Sequence, residues 1–258
     1  MAASPSHPEP QTPDRLRPGE VHLWLADGEG EPAPPDDGGG VLSEDERARA
    51  ARFRFPVHAR RFRFAHVVLR RVLSRYAGSP PGELSFETGT YGKPRLAPVS
   101  GEAPPFRFNL AHSGDLVLVG VCRDGETGVD LEAVDPAVDV RGIGRRFFHP
   151  AEVRVLEGLS GEACVDAFFR IWTRKEAFVK AVGAGLFLCL PSVDVTAGRV
   201  RLPEGAPRGA SGGDFRLVDL PSVEGFRAAA AVPPEVRTVR CLAWNNTGRV
   251  RPWPMPNS

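Results

Sequence analysis

Hydrophobic and polar positions along this chain follow two different periods, and the switch between them marks its elements. From Ala59 to Ala77, the residues Phe62, Ala65, Leu69, Leu73 and Tyr76 recur at spacings of three and four, which predicts an amphipathic helix stopped by Gly78 and Pro80. Short strand-like runs follow at Leu84–Glu87, Phe106–Leu110 and Leu116–Cys122, separated by turns containing Gly89, Gly92, Pro94 and Gly114. After Cys122 the order begins again. Gly128–Val134 reads as a strand, and Phe148-His-Pro-Ala-Glu152 opens a short helix with Pro150 at its first position and an acid in its first turn. A second long helix is expected over Cys164–Val182, ended by Gly183, with further strands near Ser192–Val195, Phe215–Leu220 and Phe226–Val232.

Corresponding elements lie roughly 110 residues apart, so the expected fold is α+β, built as two structurally similar α+β lobes joined near Arg123–Thr127. Residues 19–122 form the N-terminal lobe and 123–244 the C-terminal lobe in this reading. The Pro- and Gly-rich stretches 1–18 and 245–258 read as disordered tails. A ligand site belongs at the seam between the lobes, because clefts favour domain interfaces.

Composition narrows the class. The 258 residues are 41% hydrophobic and 25% charged, as in ordinary globular proteins, and the net charge of +1 gives no support to a general nucleic-acid coat. Apolar runs such as Leu116–Cys122 are far shorter than the ~20 residues that span a bilayer, and no basic-then-apolar leader opens the chain. The expectation is a cytoplasmic protein without membrane contact. Cys122, Cys164, Cys189 and Cys241 are scattered among apolar neighbours without a C-x-x-C pair, and read as buried, reduced thiols. Of 33 basic residues only Lys93, Lys175 and Lys180 are lysine. A chain so biased toward arginine either keeps lysine where a compact ammonium cannot be replaced by a planar fork, or retains three by chance.

Three clusters could carry chemistry. Asp130 and Glu132 stand at i and i+2 of a strand, so both carboxylates point to one face, as Mg²⁺ ligands or simply as a solvated strand face. On the second long helix Glu176 and Lys180 are i and i+4, with Lys175 alongside. This is either a surface ion pair worth ~0.3 to 0.5 kcal/mol or a carboxylate suited to hold a metal or take a proton beside a phosphate. Ten arginines and no acid occupy Arg47–Arg75, interleaved with Phe53, Phe55, Phe62 and Phe64, and Tyr91-Gly-Lys93-Pro94 and Asn109-Leu-Ala-His112-Ser113 follow. Such a belt suits a multiply phosphorylated ligand, with nucleic acid as the competing partner.

These residues resemble the 4'-phosphopantetheinyl transferases of the larger, monomeric, two-lobed surfactin-synthetase-activator type. The resemblance rests on Gly128-Val-Asp130-Leu-Glu132, Trp172-Thr-Arg-Lys175-Glu176-Ala-Phe-Val-Lys180, Gly92-Lys93-Pro94, Phe108-Asn109-Leu-Ala-His112-Ser113, Arg60-Arg61 and Phe147-Phe148-His-Pro-Ala-Glu152, in the family's order from about residue 47 to 195. It implies a pseudo-twofold pair of lobes with the active site at their interface, and transfer of the phosphopantetheine arm of coenzyme A to a serine of an acyl or peptidyl carrier protein. Coenzyme A phosphates would meet Arg49, Arg61, Lys93, Pro94, His112, Ser113, Lys175 and Lys180. Mg²⁺, or alternatively Mn²⁺, would sit on Asp130, Glu132 and Glu176, while Glu176, Lys180 and Glu152 would be catalytic. Ala111 departs from the pattern where many relatives carry serine, as does Phe62 where some carry a polar residue. A non-catalytic coenzyme A or carrier-protein binder is the alternative, and it would not need three aligned carboxylates.

Overall fold

The chain enters on strand β1 (Glu20–Asp27), the first element of the computed structural model, which describes residues 16–29, 40–98, 101–207, 209–210, 213–221, 223–244 and 250–253. Helix α1 (Glu44–Ala51) follows, started by a capping box in which Ser43 Oγ accepts the Glu46 N–H and Glu46 Oε2 accepts the Ser43 N–H. Helix α2 (Pro56–Ala77) begins on its proline and ends at Gly78, whose φ of 66° is the left-handed conformation glycine adopts without strain. A hairpin of β2 (Phe86–Thr88) and β3 (Pro94–Leu96) leads into β4 (Arg107–Ser113) and β5 (Leu116–Cys122). The apolar stripe of α2, including Val68, Leu69, Val72 and Leu73, packs on Trp24, Phe108, Val119 and Val121 of the sheet. Burial of each such side chain is worth roughly 1.5 to 3 kcal/mol.

The second lobe repeats the plan. Strand β6 (Gly128–Ala133) is followed by α3 (Val140–Phe147), α4 (Pro150–Glu157) and α5 (Gly161–Val182), then β7 (Arg199–Arg201), β8 (Asp214–Asp219) and β9 (Phe226–Val232). Both long helices have 22 residues, and α5 ends as α2 does, at a left-handed glycine, Gly183, with φ 69°. The sheet orders match as well: β1-β5-β4 in the first lobe and β6-β9-β8 in the second, all antiparallel neighbours. The expected α+β pair of similar lobes is therefore the observed architecture.

Four expectations need correction. Strand β10 (Thr238–Trp244) does not belong to the second lobe but runs parallel to β1, from Glu20 opposite Thr238 to Ala26 opposite Trp244. Its Leu242 and Trp244 join the core under α2, where Trp244 meets Trp24 at 6.1 Å between rings, so it covers the open edge of β1. The two ends of the described chain are not wholly tails either: Leu16 is buried, β11 (Val250–Pro252) pairs with β10, and Trp253 is buried, while residues 1–15, 245–249 and 254–258 lie outside the described residues. The stretch 192–195 is not a strand but follows a short 3₁₀ turn, Leu190–Ser192. Lys175 draws the Leu190 and Val193 carbonyls inward and removes them from any ladder. The cysteines read from the sequence as buried, and Cys122 and Cys164 are, but Cys241 is intermediate and Cys189 is exposed where the chain lines a cavity, its neighbours in sequence being apolar without covering it; all four are free thiols. No helix of the described residues is long and apolar enough to cross a membrane.

Glu46 ties α1 to α2 beyond its cap. Its carboxylate accepts the His66 Nδ1–H at 2.8 Å and the Arg70 Nε–H at 2.7 Å, and Arg70 is itself buried. Burial alone would raise its pKa, but His66, the Ser43 N–H and Arg70 outweigh this and lower it to about 2. A carboxyl depressed in the fold stabilises it fully above its unfolded value of 4.5, and that contribution fades as the pH falls toward 2. Glu46→Gln should therefore destabilise the protein by about 3 kcal/mol at neutral pH, and its midpoint of thermal melting should converge on that of the wild type between pH 4.5 and 2. A constant gap across that window would disprove the assignment.

Candidate active site

The seam between the lobes is set by how closely strand β6 lies against helix α5. Gly128 makes this possible: a methyl group at its Cα would run into the Ala177 carbonyl oxygen and the Ala181 N–H of α5. Across the seam, Asn109 of β4 accepts the Val129 N–H at 2.9 Å, and Ser113 Oγ accepts the Ala133 N–H at 3.0 Å. Strand β6 is thereby fixed on both sides, and its alternation turns Asp130 and Glu132 toward Glu176 and Lys180 of α5.

Asp130 is 2% exposed. Its Oδ1 accepts from Lys180 Nζ at 2.6 Å, while its Oδ2 is buried without a hydrogen-bond partner. Burial holds its carboxyl above the usual range against the opposing pull of Lys180. Glu132 is pushed up to about 7, first by burial and then by the negative charge of Asp130, with Glu176 adding to it. Glu176 is raised for the same two leading reasons, burial and Asp130. Three carboxylates thus share one neighbourhood with one ammonium group, and each disfavours the charge of the next. Among the described residues no group of three or more His, Cys, Asp or Glu side chains is arranged to hold a metal ion. The hard oxygen donors and the orphaned Asp130 oxygen nonetheless fit a cation that takes few protein ligands and completes its shell with water or phosphate.

Beside this cluster lies a cavity of about 610 Å³. Glu176 and Lys180 reach it from α5, and its remaining walls include Tyr91, Phe147, Leu188, Leu190 and Pro191. On the first-lobe side His112 is exposed next to the cluster. Partial burial in the cleft and then the positive charges of Lys180, His66 and Arg61 hold its imidazole below the ordinary value. Arg61 grips the Asp115 carboxylate with two hydrogen bonds of 3.2 Å, and Arg60 binds the same carboxylate. Ala111 faces the opposite side of β4 from His112, in an apolar cluster with Val21, Leu23 and Leu118.

The structure brings Asp130, Glu132, Glu176 and Lys180 together and sets other expected site residues apart from them. Ser113 spends its hydroxyl on the Ala133 N–H and on Glu132 Oε2 at 3.5 Å, so it orients a carboxylate. Pro94 lines the cavity, whereas Arg49 is exposed at the end of α1 with its guanidinium 5.2 Å from the centre of the Phe62 ring. The Lys175 ammonium and the Glu152 carboxylate do not face the cavity: they are 1% and 0% exposed and paired with each other at 2.8 Å. Lys93 lines the cavity with its stem, but its ammonium donates to Thr127 O at 3.0 Å and Ala181 O at 2.8 Å and pairs with Glu126 at 2.7 Å. Sequence reasoning named Asn109 only within a motif and missed Glu126; an acid in the short joint between the lobes was the visible signal for Glu126.

Lys93 thus ties the β2–β3 turn to the last turn of α5, and its Cδ lies 3.2 Å from where a Cβ on Gly183 would stand. An arginine fork is too large for that slot. Lys93→Arg should lower stability by about 1 to 3 kcal/mol through overpacking, read as a fall in the midpoint of denaturant unfolding, and an unchanged midpoint would contradict the tie.

A family model described as the 4'-phosphopantetheinyl transferase superfamily matches residues 126–223, and one described as 4'-phosphopantetheinyl transferase, N-terminal, matches residues 39–123. The two matches fall on either side of the joint between the lobes. The chain is 41% identical over 167 residues to the 4'-phosphopantetheinyl transferase HetI of Nostoc sp., covering 65% of this chain and 70% of the relative. It is 38% identical over 151 residues to 4'-phosphopantetheinyl transferase psf-1 of Bacillus pumilus, covering 58% and 62%. To 4'-phosphopantetheinyl transferase Sfp of Bacillus subtilis it is 32% identical over 154 residues, covering 60% and 66%. With both lobes matched and the carboxylate cluster at their seam, this chain belongs to the 4'-phosphopantetheinyl transferase family of enzymes.

Proposed function

We propose that this enzyme moves the 4'-phosphopantetheine group of coenzyme A onto a serine hydroxyl of an apo acyl or peptidyl carrier protein and releases adenosine 3',5'-bisphosphate. The observation that carries this reading is the gathering of Asp130, Glu132 and Glu176 around Lys180, with one buried Asp130 oxygen unpartnered, beside a cavity at the lobe seam. Mutually repelling carboxylates favour a cation among them, and their oxygen donors suit Mg²⁺ first and Mn²⁺ second. Bound there, the ion would neutralise charge on the pyrophosphate oxygens.

In this reading Glu176 accepts the proton of the carrier serine as its Oγ forms a bond to the phosphorus that bears the pantetheine arm. The bond from that phosphorus to the bridging oxygen breaks, and its electron pair leaves with the adenosine bisphosphate. Lys180 stabilises the charge that collects on the leaving side. Arg61, the positive group across the cleft, and the His112 imidazole beside it hold the adenosine phosphates. The Glu152 carboxylate and the Lys93 and Lys175 ammonium groups take no part in the bond changes, because each is fully engaged within the protein.

Incubation of apo acyl and apo peptidyl carrier proteins with coenzyme A, Mg²⁺ and this enzyme should give the phosphopantetheine mass gain on the carrier serine. Coenzyme A binding without any mass gain across both carrier types would favour a non-catalytic binder. Asp130→Asn should abolish the gain at every Mg²⁺ concentration while thermal melting stays within about 2 to 4 °C of the wild type, the shift that ~1 kcal/mol gives a chain of this size. Retained turnover in a folded variant would remove Asp130 from the site. Glu176→Gln keeps one oxygen acceptor but cannot take a proton; kcat should fall ~100-fold or more while calorimetric binding of coenzyme A with Mg²⁺ weakens much less. Equal losses in both would reduce Glu176 to a binding group.

A further inference from the structure

Lys175 lies on the buried stripe of α5, one residue from Glu176, and every donor of its ammonium is committed. Nζ donates to Leu190 O at 3.0 Å and Val193 O at 2.5 Å and pairs with Glu152 Oε2 at 2.8 Å. Glu152 is equally engaged: Oε2 accepts the His149 N–H at 2.8 Å, and Oε1 accepts the Val195 N–H at 2.8 Å. These bonds converge on residues 188–195, a stretch whose regular structure is limited to the short turn Leu190–Ser192. Leu188, Cys189, Leu190 and Pro191 of that stretch line the cavity.

We infer that Glu152 and Lys175 are positioning residues that fasten this cavity wall to the same helical turn that carries Glu176, and so set the shape of the substrate pocket without touching substrate. A wall with so few ladder bonds of its own takes its position from whatever anchors its carbonyls and amides. Lys175 and Glu152 anchor two of the carbonyls and one of the amides, from α5 and α4 respectively. Because Lys175 and Glu176 are consecutive on a rigid helix, wall and reacting carboxylate keep one frame. A ligand bound in the pocket meets both the wall and Glu176, so a displaced wall changes how well substrate is held before it changes the chemistry. The inference rests on the reading that the cavity beside Glu176 receives substrate.

Removing one partner leaves a buried charge, so Lys175→Met alone can fail to fold, whereas Glu152→Gln/Lys175→Met removes both charges at nearly constant volume. In the folded double variant, KM for coenzyme A or for the apo-carrier should rise about tenfold or more while kcat changes by less than about threefold. Glu152→Gln alone keeps an acceptor for Val195 and leaves the Lys175 bonds to Leu190 and Val193 in place, so KM should move in the same direction by less, while the Lys175 ammonium left without its carboxylate lowers the melting temperature. Hydrogen exchange at Val193 to Val195 should accelerate in the double variant relative to the α5 amides, a readout independent of turnover. A kcat loss of ~100-fold at constant KM would mean direct participation in the reaction and overturn the inference. A lower melting temperature with unchanged KM and kcat would overturn it too, leaving a purely structural pair. Wild-type enzyme assayed alongside separates the failures: no product from wild type counts against transfer itself, and normal wild-type turnover with an unaltered variant KM counts only against positioning.

Discussion

The site depends on one close approach, that of strand β6 to helix α5. Gly128 on the strand faces Ala177 and Ala181 on the helix, and all three are small because the backbones nearly touch. At Gly120 of β5 the same restriction recurs, since a Cβ there would stand 2.7 Å from Val129 Cγ1. Only with the strand this near does Asp130 reach Lys180 at 2.6 Å and come close enough to Glu132 and Glu176 for their charges to be felt. A larger residue at position 128 would separate the carboxylates from the helix and relax the repulsion that makes them attractive to a cation.

The two lysines of helix α5 form ion pairs little more than a turn apart, and these differ in a way that separates architecture from chemistry. Glu152–Lys175 is closed: donors and acceptors are matched by each other and by nearby backbone, and both side chains are cut off from solvent. Asp130–Lys180 is open: one carboxylate oxygen is buried without a hydrogen-bond partner, the lysine remains 31% exposed, and two further acids crowd the pair. A closed buried network specifies a geometry, whereas a buried oxygen without a hydrogen bond is costly to keep. The same helix thus supplies a fixed frame on one side and a crowded, charge-strained cluster on the other.

Much of this was legible in the sequence where a local period coincided with a tertiary face. Helices α2 and α5 announced themselves by three-and-four spacing and their terminal glycines, and the i, i+2 relation of Asp130 and Glu132 placed both acids on one strand face. The burial of Lys175 was also written there. It falls on the stripe Cys164, Phe168, Ile171, Phe178 and Val182, so helical spacing alone directs it into the core, although its charge suggested a ligand. Its partner Glu152 lies on another helix, and no local pattern joins positions so far apart in sequence. The return of β10 to β1 was illegible for the same reason, because the bonds link Glu20 with Thr238 and strand propensity does not say which sheet a strand completes.

The three lysines share a local geometry. Lys93 meets two carbonyl oxygens and a carboxylate, Lys175 meets the same set in another place, and Lys180 meets Asp130 beside two further acids. An ammonium group presents three donors from one small centre and can satisfy oxygens converging from several directions, whereas a guanidinium spreads its donors across a plane and suits paired oxygens such as those Asp115 offers Arg61. Two of the three lysines therefore serve the seam and the wall, and the compactness that fits Lys180 to a crowded carboxylate cluster is the same property that fits the other two to the backbone.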